Sequence, residues 1–250
     1  QLTVVEKEDR MVPRMLDEVA GGLVKRWCED KGIRVLTNSG VTRIEQAETG
    51  LSVTLDNGVT LPADLVSTAT GVRSNVDFLA GSGIEIEQGI LVNPYLETNQ
   101  QGIFAAGDVA QGRDYSSGGY SVQAIQPTAV EHGRIAAANM VNVESVPHPG
   151  SLNMNVLDTL GLISTSFGQW MGVEDGEQVV LLDEDRYRYL NLQFDGDHLT
   201  GASSLGHTQH IGVLRGLIRN RVPLGVWKAR LLRDPTRLME AYLGSVQGMV

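Results

Sequence analysis

The sequence predicts an α/β fold followed by a small α+β unit, and three observations lead to this prediction. A strand, a helix and a second strand follow one another over residues 2–36. A short apolar run at Ile103–Ala106 stops on Gly107 and Asp108, as a buried parallel strand does at the edge of a sheet. After a linker at 147–150 (PHPG), the pattern changes to antiparallel strands and short helices.

The composition is that of a globular chain with an acidic balance. It has 250 residues, of which 42% are hydrophobic, enough to build packed cores. No apolar stretch approaches the ~20 residues that cross a bilayer, so a cytoplasmic location is expected. A net charge of -10 argues against nucleic acid as a partner, because phosphate neutralisation needs a basic face. Cys28 is the only cysteine, which excludes disulfides and cysteine metal sites within this chain.

The first segment predicts a parallel βαβ unit, with strands at Leu2–Val5 and Ile33–Leu36. Glu6 ends the first strand, at the place where dinucleotide-binding domains carry the acidic residue that binds the adenosine ribose. A carboxylate there favours NADH over NADPH, a preference that Lys7 and Arg10 weaken. Alternatively, Glu6 is a solvated acid at the end of a strand. The helix between the strands carries a stripe of apolar residues, namely Leu16, Val19, Ala20, Leu23, Val24 and Trp27.

Several short strands are predicted next, around the hairpin signal Asn57-Gly58. One of them, Ala63–Thr68, reads as a buried strand that runs into Gly71, where small residues let the backbone approach a ligand closely. The predicted strands are, in order, 41–44, 51–55, 59–61, 63–68, 84–86 and 89–92.

The segment after Asp108 predicts a long connection and then a helix. The 17 residues of Val109–Ile125 carry no predicted structure, and loops of this length tend to be functional. Gln126 and Pro127 begin the helix, whose free N–H groups and positive dipole end suit an anionic partner such as a reduced flavin. One face is small enough for close packing on a sheet or a cofactor: Ala129, Gly133, Ala136, Ala137 and Met140.

Four segments occur in a fixed order along the chain: 3–17 (TVVEKEDRMVPRMLD), 69–75 (ATGVRSN), 98–109 (TNQQGIFAAGDV) and 126–139 (QPTAVEHGRIAAAN). In this order and spacing they resemble the second half of the FAD-dependent pyridine nucleotide-disulfide oxidoreductases. The similarity is to the branch of NADH:rubredoxin reductases and the NADH-oxidising module of assimilatory nitrite reductases. It covers residues 1 to about 143 and is vaguer beyond.

The resemblance implies a flavin site. Asp108 would hydrogen-bond the ribityl chain of FAD, and Gly107 would permit the close approach. Gln126, Pro127 and Thr128 would place a helix N-terminus at the pyrimidine end of the isoalloxazine.

The resemblance also implies an NAD site and a missing part. Glu6 would bind the ribose of NADH, and Gly71 would lie near the nicotinamide at a domain junction. Both glycine fingerprints would precede Gln1, so the chain is expected to belong to a longer polypeptide, or to be a subunit whose partner supplies them. The implied fold is the second halves of two Rossmann-like dinucleotide-binding domains followed by an α+β interface domain. Their expected bounds are 1–71 for the NAD-binding part, 72–146 for the FAD-binding part and 151–250 for the α+β domain.

The C-terminal segment predicts antiparallel strands at 179–182, 187–194 and 199–205, then helices from His207 to Arg219 and after Asp234. The middle strand alternates apolar and polar residues. His207 and His210 lack a third ligand in spacing, so no metal site is predicted. Seven Lys or Arg residues and one acid lie between Gln209 and Arg237. They are either solvated helix faces or a surface that attracts an acidic electron-carrier protein.

The implied function is an oxidoreductase that passes electrons from NAD(P)H, with NADH favoured, through FAD to a protein or a small molecule. No side chain is placed as an acid, base or nucleophile, so no catalytic residue is predicted. The alternative is a non-catalytic chain that completes cofactor sites in a partner or serves as a scaffold. A homo- or hetero-oligomer is compatible with either function.

Overall fold

Residues 1–142 and 145–247 are described by a computed structural model, and they divide into two units. One unit combines Gln1–Thr70 with the residues from Asn155 onward, and the other is Gly71–Met154. Parallel and antiparallel sheets occur together with helices, which confirms the α/β class. Within the described ranges, no helix has both the length and the apolar character needed to cross a membrane.

The strands are, in chain order, β1 (Thr3–Val5), β2 (Arg34–Leu36), β3 (Val41–Gln46), β4 (Leu51–Leu55), β5 (Thr60–Ala63), β6 (Ile90–Leu91), β7 (Ala110–Arg113), β8 (Tyr120–Val122), β9 (Met154–Thr159), β10 (Leu162–Gly168), β11 (Glu177–Asp183), β12 (Arg188–Asp195) and β13 (His198–Leu205). The α-helices are α1 (Glu18–Asp30), α2 (Gln126–Val141), α3 (Ile211–Arg219), α4 (Val226–Arg233) and α5 (Leu238–Gln247). Two short 3-10 turns lie at Asp77–Leu79 and Gly107–Val109.

The predicted βαβ unit is confirmed at the start of the chain. β1 and β2 are parallel, with Val4 opposite Val35. Asp17 caps α1 by accepting a hydrogen bond of 2.9 Å from the backbone N–H of Ala20. The predicted apolar stripe needs one correction, because Val19 is 46% exposed. The helix begins only at Glu18, and its buried face is formed by Ala20, Gly21, Leu23, Val24 and Cys28.

A five-stranded antiparallel sheet dominates the same unit, in the order β11-β12-β13-β10-β9. Helix α1 packs on this sheet, and Tyr189 of β12 donates a hydrogen bond to Asp17. At the other end of α1, the indole N–H of Trp27 donates to the carbonyl of Thr159, at 3.0 Å. The βαβ unit and strands β10, β12 and β13 therefore share one hydrophobic cluster, formed by Met15, Leu16, Ala20, Leu23, Val24, Cys28, Val35, Leu162, Tyr189 and Leu205.

The C-terminal prediction was correct for three strands and incomplete elsewhere. The predicted alternation in β12 is wrong, because residues 189–194 are all buried and both faces of the strand are covered. β9, β10 and α4 were not predicted. The helix expected from His207 begins at Ile211, because His210 adopts a left-handed conformation with φ of 62° at the N-cap.

The predicted hairpin sheet is confirmed as the antiparallel set β3-β4-β5. The buried strand predicted at Ala63–Thr68 is wrong. β5 ends at Ala63, and Leu65 is 83% exposed. Among the described residues, no strand pairs with 64–68, so the apolar run lacks the ladder of hydrogen bonds that defines a strand.

In the second unit, β6 runs parallel to β7, and β7 is antiparallel to β8. The prediction that the 17-residue connection Val109–Ile125 lacks secondary structure is therefore wrong, because the connection contains this hairpin. Asp114 forms the turn, since its Oδ1 accepts from the backbone N–H groups of Ser116 at 2.8 Å and Ser117 at 3.0 Å. The strand predicted at 84–86 is reduced to a single bridge between Ile86 and Ile90.

The buried strand predicted at Ile103–Ala106 is also wrong. Ile103 is 46% exposed, and Phe104 forms only an isolated bridge with Glu97. The backbone of this segment pairs on one side with a loop, for example from the Ala105 N–H to the Leu96 carbonyl at 3.1 Å. An apolar run with a single bridge is an extended segment rather than a strand, and it leads directly into the Gly107 turn.

Helix α2 begins at Gln126, as predicted, but its buried face differs from the predicted one. Thr128, His132, Ala136 and Asn139 are buried. The predicted small-residue face is largely uncovered, with Gly133, Ala137 and Met140 exposed in this structure. Asn139 anchors the helix, since its side-chain amide donates to the carbonyls of Tyr95 at 3.0 Å and Val146 at 2.9 Å.

Candidate functional site

The candidate site in the second unit is built on a tight turn at Gly107–Val109. Ala106 is extended, and Gly107 then adopts φ of 74°, a left-handed conformation that glycine accommodates without strain. A Cβ atom at Gly107 would lie 3.4 Å from the Cβ of Ala129, so the turn packs closely against the first turns of α2. The structure thus brings the predicted residues Gly107 and Asp108 next to the start of the predicted helix.

The N-terminus of α2 is available to a ligand. Ile125 occupies the N-cap in an extended conformation, and its side chain makes no capping hydrogen bond. Gln126 and Pro127 are exposed, whereas Thr128 is 4% exposed and belongs to the packed face of the helix. The first N–H groups of a helix carry partial positive charge, and an uncapped start therefore favours an acceptor or an anion.

Asp108 presents an exposed carboxylate beside this helix start. Within the described residues its side chain has no hydrogen-bond partner, while its backbone carbonyl accepts from the hydroxyl of Ser74 at 2.7 Å. Ser74 lies three residues after Gly71, which is exposed and has φ of 93°. The Ser74 contact ties the segment that follows Gly71 to the Asp108 turn, which leaves the carboxylate itself free to accept hydrogen bonds.

Sequence reasoning missed His132, which lies on α2 beneath the turn. Its ring is 2% exposed, and its Nδ1 accepts a hydrogen bond of 3.3 Å from the backbone N–H of Gly107. Its Nε2 lies 3.1 Å from the Oγ of Ser151, and the ring of His148 packs against it edge to face at 4.7 Å. Burial, and secondarily the charge on His148, lower the pKa of His132 to about 4. The ring is therefore neutral at physiological pH.

This lowered pKa predicts an acid-sensitive stability. The folded pKa of about 4 lies below the ordinary value of 6.5, so the stabilisation is fully present above pH 6.5 and is lost as pH falls towards 4. At about 1.4 kcal/mol per unit, the loss amounts to about 3 kcal/mol. Denaturant unfolding of the wild type and of His132→Asn, measured across this window, isolates the contribution of His132 because other titrations cancel in the difference. Parallel pH dependences of the two proteins would contradict the prediction.

Glu6 lies in the other unit, at the carboxyl end of β1. Its backbone N–H donates to the Leu36 carbonyl at 2.8 Å, which extends the parallel pairing by one residue. One carboxylate oxygen of Glu6 accepts from the backbone N–H of Glu8 at 3.0 Å. The residue therefore occupies the strand end expected of a ribose ligand. The ribose role of Glu6, and the cofactor roles of the other site residues, remain predictions.

The residues of the turn fit a flavin. A left-handed glycine allows close approach of a ligand to the backbone, an exposed carboxylate accepts hydrogen bonds from hydroxyl groups, and an uncapped helix start donates to acceptors. A flavin offers matching groups, because its ribityl chain carries hydroxyls that donate and its ring system carries carbonyls that accept. In the described part of the chain, no three His, Cys, Asp or Glu side chains cluster closely enough to hold a metal ion.

A parallel βαβ unit whose first strand ends in an acidic residue is typical of nucleotide-binding α/β proteins, as is a glycine-containing turn against a helix start. Comparison with known proteins gives the family. The family model of the pyridine nucleotide-disulphide oxidoreductases matches residues 1–133 of the sequence. The chain therefore belongs to this family. This finding confirms the family predicted from the sequence motifs.

Three known proteins show the extent of the similarity in sequence and in fold. The chain is 34% identical over 236 residues to the epsilon subunit of the NADH-dependent phenylglyoxylate dehydrogenase of Aromatoleum evansii, covering 94% of this chain and 56% of that subunit. It is 34% identical over 113 residues to the rubredoxin-NAD(+) reductase of Acinetobacter baylyi, covering 44% of this chain and 29% of the reductase. The crystal structure of a covalent putidaredoxin reductase-putidaredoxin complex has a similar fold, with a TM-score of 0.84 at 19% identity, over 97% of this chain and 58% of that one. The chain thus spans about half the length of the phenylglyoxylate dehydrogenase subunit.

Proposed function

We propose that the protein acts, alone or as part of a longer chain or complex, as an FAD-dependent NAD(P)H oxidoreductase that passes electrons to a protein or small-molecule acceptor. The observation that carries the proposal is the Gly107–Asp108 turn packed against the uncapped start of α2. In this proposal the chain comprises the second halves of two Rossmann-like domains and an α+β domain, with the bounds 1–71, 72–146 and 151–250.

The residues of the chain bind and orient the cofactors. Asp108 accepts hydrogen bonds from the ribityl hydroxyls, while Gln126, Pro127 and Thr128 set the helix start at the pyrimidine end of the flavin. Gly71 lies near the nicotinamide. Flavin and nicotinamide together supply the hydride and electron chemistry, and the protein supplies position and electrostatics.

Glu6 makes NADH the favoured reductant. Its carboxylate accepts from ribose hydroxyls and repels the additional phosphate of NADPH. Arg10, which could have offset this preference, is already engaged: its guanidinium pairs with Asp9 at 2.7 Å and donates to the Leu16 carbonyl at 3.0 Å. The preference is measured as the ratio of kcat/KM for NADH to kcat/KM for NADPH. This ratio should be lower in Glu6→Gln than in the wild type.

Because the chain spans 56% of the phenylglyoxylate dehydrogenase subunit, the proposal assigns the glycine fingerprints of both sites to a longer polypeptide or to a partner subunit. The similarity to a protein named as a dehydrogenase subunit supports a multi-chain assembly. Denaturing mass measurement of the natural protein separates the two arrangements. A chain near 27.0 kDa accompanied by a partner supports separate subunits, and a much larger chain supports one polypeptide.

The proposed function is tested on the complete protein, meaning the natural full-length polypeptide with any partner chain. It should purify with bound flavin and oxidise NADH with an artificial dye as acceptor. A complete protein that lacks flavin and oxidises NADH with no dye contradicts the proposal and favours the scaffold alternative.

An acidic electron-carrier protein is the acceptor that the charges of the C-terminal helices favour. Arg215 and Arg221 are exposed, and Arg219 lies between them near the end of α3. Further along the same segment, Lys228 pairs with Glu177 and Arg237 pairs with Glu240.

Charge reversal of Arg215, Arg219 and Arg221 to glutamate should slow reduction of an acidic carrier about tenfold or more at low salt, with the difference vanishing at high salt. The matched control is Arg186→Glu, an exposed arginine at the β11–β12 turn, which should leave the rate unchanged. Stopped-flow reduction at varied ionic strength measures the effect. Equal rates for all variants at every salt concentration would exclude this surface as the docking site.

A further inference from the structure

The buried ring of His132 contacts the one turn that carries the candidate flavin ligand. Gly107 lies 25 residues before it and donates its backbone N–H to Nδ1, and Ser151 lies 19 residues after it and faces Nε2. The ring is 2% exposed, so these contacts are shielded from water. Burial of an imidazole between two specific partners fixes both its orientation and its protonation.

The two contacts select one tautomer of His132. A backbone N–H can only donate, so Nδ1 must carry a lone pair towards Gly107. The proton then sits on Nε2 and is donated to the Oγ of Ser151. A proton added at Nδ1 would place two donors against each other and would break the bond to Gly107.

The Gly107 turn needs such a contact to be fixed. Glycine has access to a wide range of backbone conformations, and its left-handed φ of 74° is therefore held by its surroundings. His132 holds the N–H of Gly107, and Ser74 holds the carbonyl of Asp108 at 2.7 Å. The two hydrogen bonds thus fix the backbone of the turn before and after the Asp108 side chain.

We propose that His132 is a positioning residue, which holds the Gly107–Asp108 turn in the conformation that presents the Asp108 carboxylate and which releases it on protonation at Nδ1. The inference rests on the proposed function, in which Asp108 binds the flavin. It adds a residue and a proton-linked control that the flavin site does not itself require.

The charged and titratable groups around the ring agree with a neutral resting state. His148 packs against it at 4.7 Å and opposes a second positive charge. Glu131, which precedes it on α2, favours the charged form but acts more weakly and lies 3.8 Å from Nε2 of His148. Asp108, next to the bonded Gly107, is exposed. Burial dominates these effects, and protonation therefore requires acid.

Two variants separate positioning from simple packing. The side-chain oxygen of His132→Asn can occupy the place of Nδ1 and accept from Gly107. The amide nitrogen of His132→Gln can occupy the place of Nε2 and donate to Ser151, but its acceptor does not replace Nδ1. Neither side chain titrates. If only burial mattered, the two variants would behave alike.

The dissociation constant for FAD of the complete apoprotein is the first readout, measured by flavin fluorescence from pH 6.5 down towards the His132 pKa of about 4. Wild-type binding should weaken with acid. His132→Asn should bind within about twofold of wild type at neutral pH and lose the His132-dependent part of the acid response. His132→Gln should bind about tenfold more weakly, the effect of one lost hydrogen bond. Equal affinities of the two variants, or an unchanged pH profile in His132→Asn, would overturn the proposal.

Hydrogen-deuterium exchange of the peptide that contains Gly107 is the second readout, and it needs no flavin. Exchange should be about tenfold faster in His132→Gln than in wild type and near wild type in His132→Asn. If the wild type binds no flavin, the proposed function fails, and the exchange measurement still decides the role of His132. Identical exchange in all three proteins would overturn that role.

Discussion

Asp108→Ala is expected to lower the flavin content of the complete protein at least tenfold after gel filtration. The exposed carboxylate accepts charge-assisted hydrogen bonds in the proposed complex, and each such bond contributes roughly 1.5–3 kcal/mol, or about 10- to 100-fold in affinity. Asp108→Asn keeps an acceptor oxygen without the charge and should retain an intermediate amount. The measurement is the ratio of flavin absorbance to protein.

Asp185→Ala is the matched control for this variant, because Asp185 is an exposed acid at the turn between β11 and β12. It should keep the wild-type flavin content. Undiminished flavin in Asp108→Ala would refute the role given to Asp108. Equal losses in both variants would point to a general effect of charge on the fold.

Gly201→Ala is expected to destabilise the protein by about 3 kcal/mol or more. Gly201 is buried in β13, opposite Gly168 of β10 and Gln193 of β12. A Cβ atom there would lie 2.6 Å from the backbone nitrogen of Trp170 and would overlap the carbonyl of Gln169. Backbone atoms cannot move aside as a flexible side chain can, so the strain falls on the sheet itself.

Gly212→Ala is the control, because Gly212 lies in α3 and a Cβ atom there meets no atom within 4 Å. Alanine should stabilise this helix by about 0.5–1 kcal/mol. Denaturant unfolding measures both variants. A Gly201→Ala protein as stable as the wild type would show that the segment at Gln169 does not cross the sheet at this point.

The βαβ unit and the start of α2 were predictable because their signals are local. Apolar spacing in α1, the glycine that ends it and Pro127 in the first turn of α2 all act within a few residues. The family motifs were equally local, and they singled out Gly107 and Asp108, which lie in a turn in the structure. For these parts, short-range chemistry and the final structure agree.

The strands at 63–68 and 103–106 were mispredicted for one physical reason. Apolar character indicates that a segment can be buried, whereas a strand exists only where a neighbouring strand takes its hydrogen bonds. Leu65 and Ile103 are exposed, and the described residues provide no ladder for either segment. Whether a neighbouring strand is present to pair with a segment cannot be read from the residues of that segment alone.

β10 and His132 were missed because their environments are assembled from distant parts of the chain. Ser164, Thr165 and Ser166 are consecutive residues of β10, and all three are buried, so both faces of the strand are covered. The sequence of β10 therefore shows no alternation of polar and apolar residues. His132 acquires its contacts from Gly107 and Ser151, and no spacing in the sequence marks such a pairing. The available sequence signal was weak: His132 lies four residues after Thr128 and four before Ala136, on one face of α2.

Anaerobic addition of NADH to the complete protein tests whether it is a flavin-dependent NADH oxidoreductase. The protein is expected to carry FAD, and stoichiometric NADH should bleach the yellow absorbance of the oxidised flavin before any acceptor is added. A complete protein that contains no flavin, or whose flavin stays oxidised with both NADH and NADPH, would contradict it.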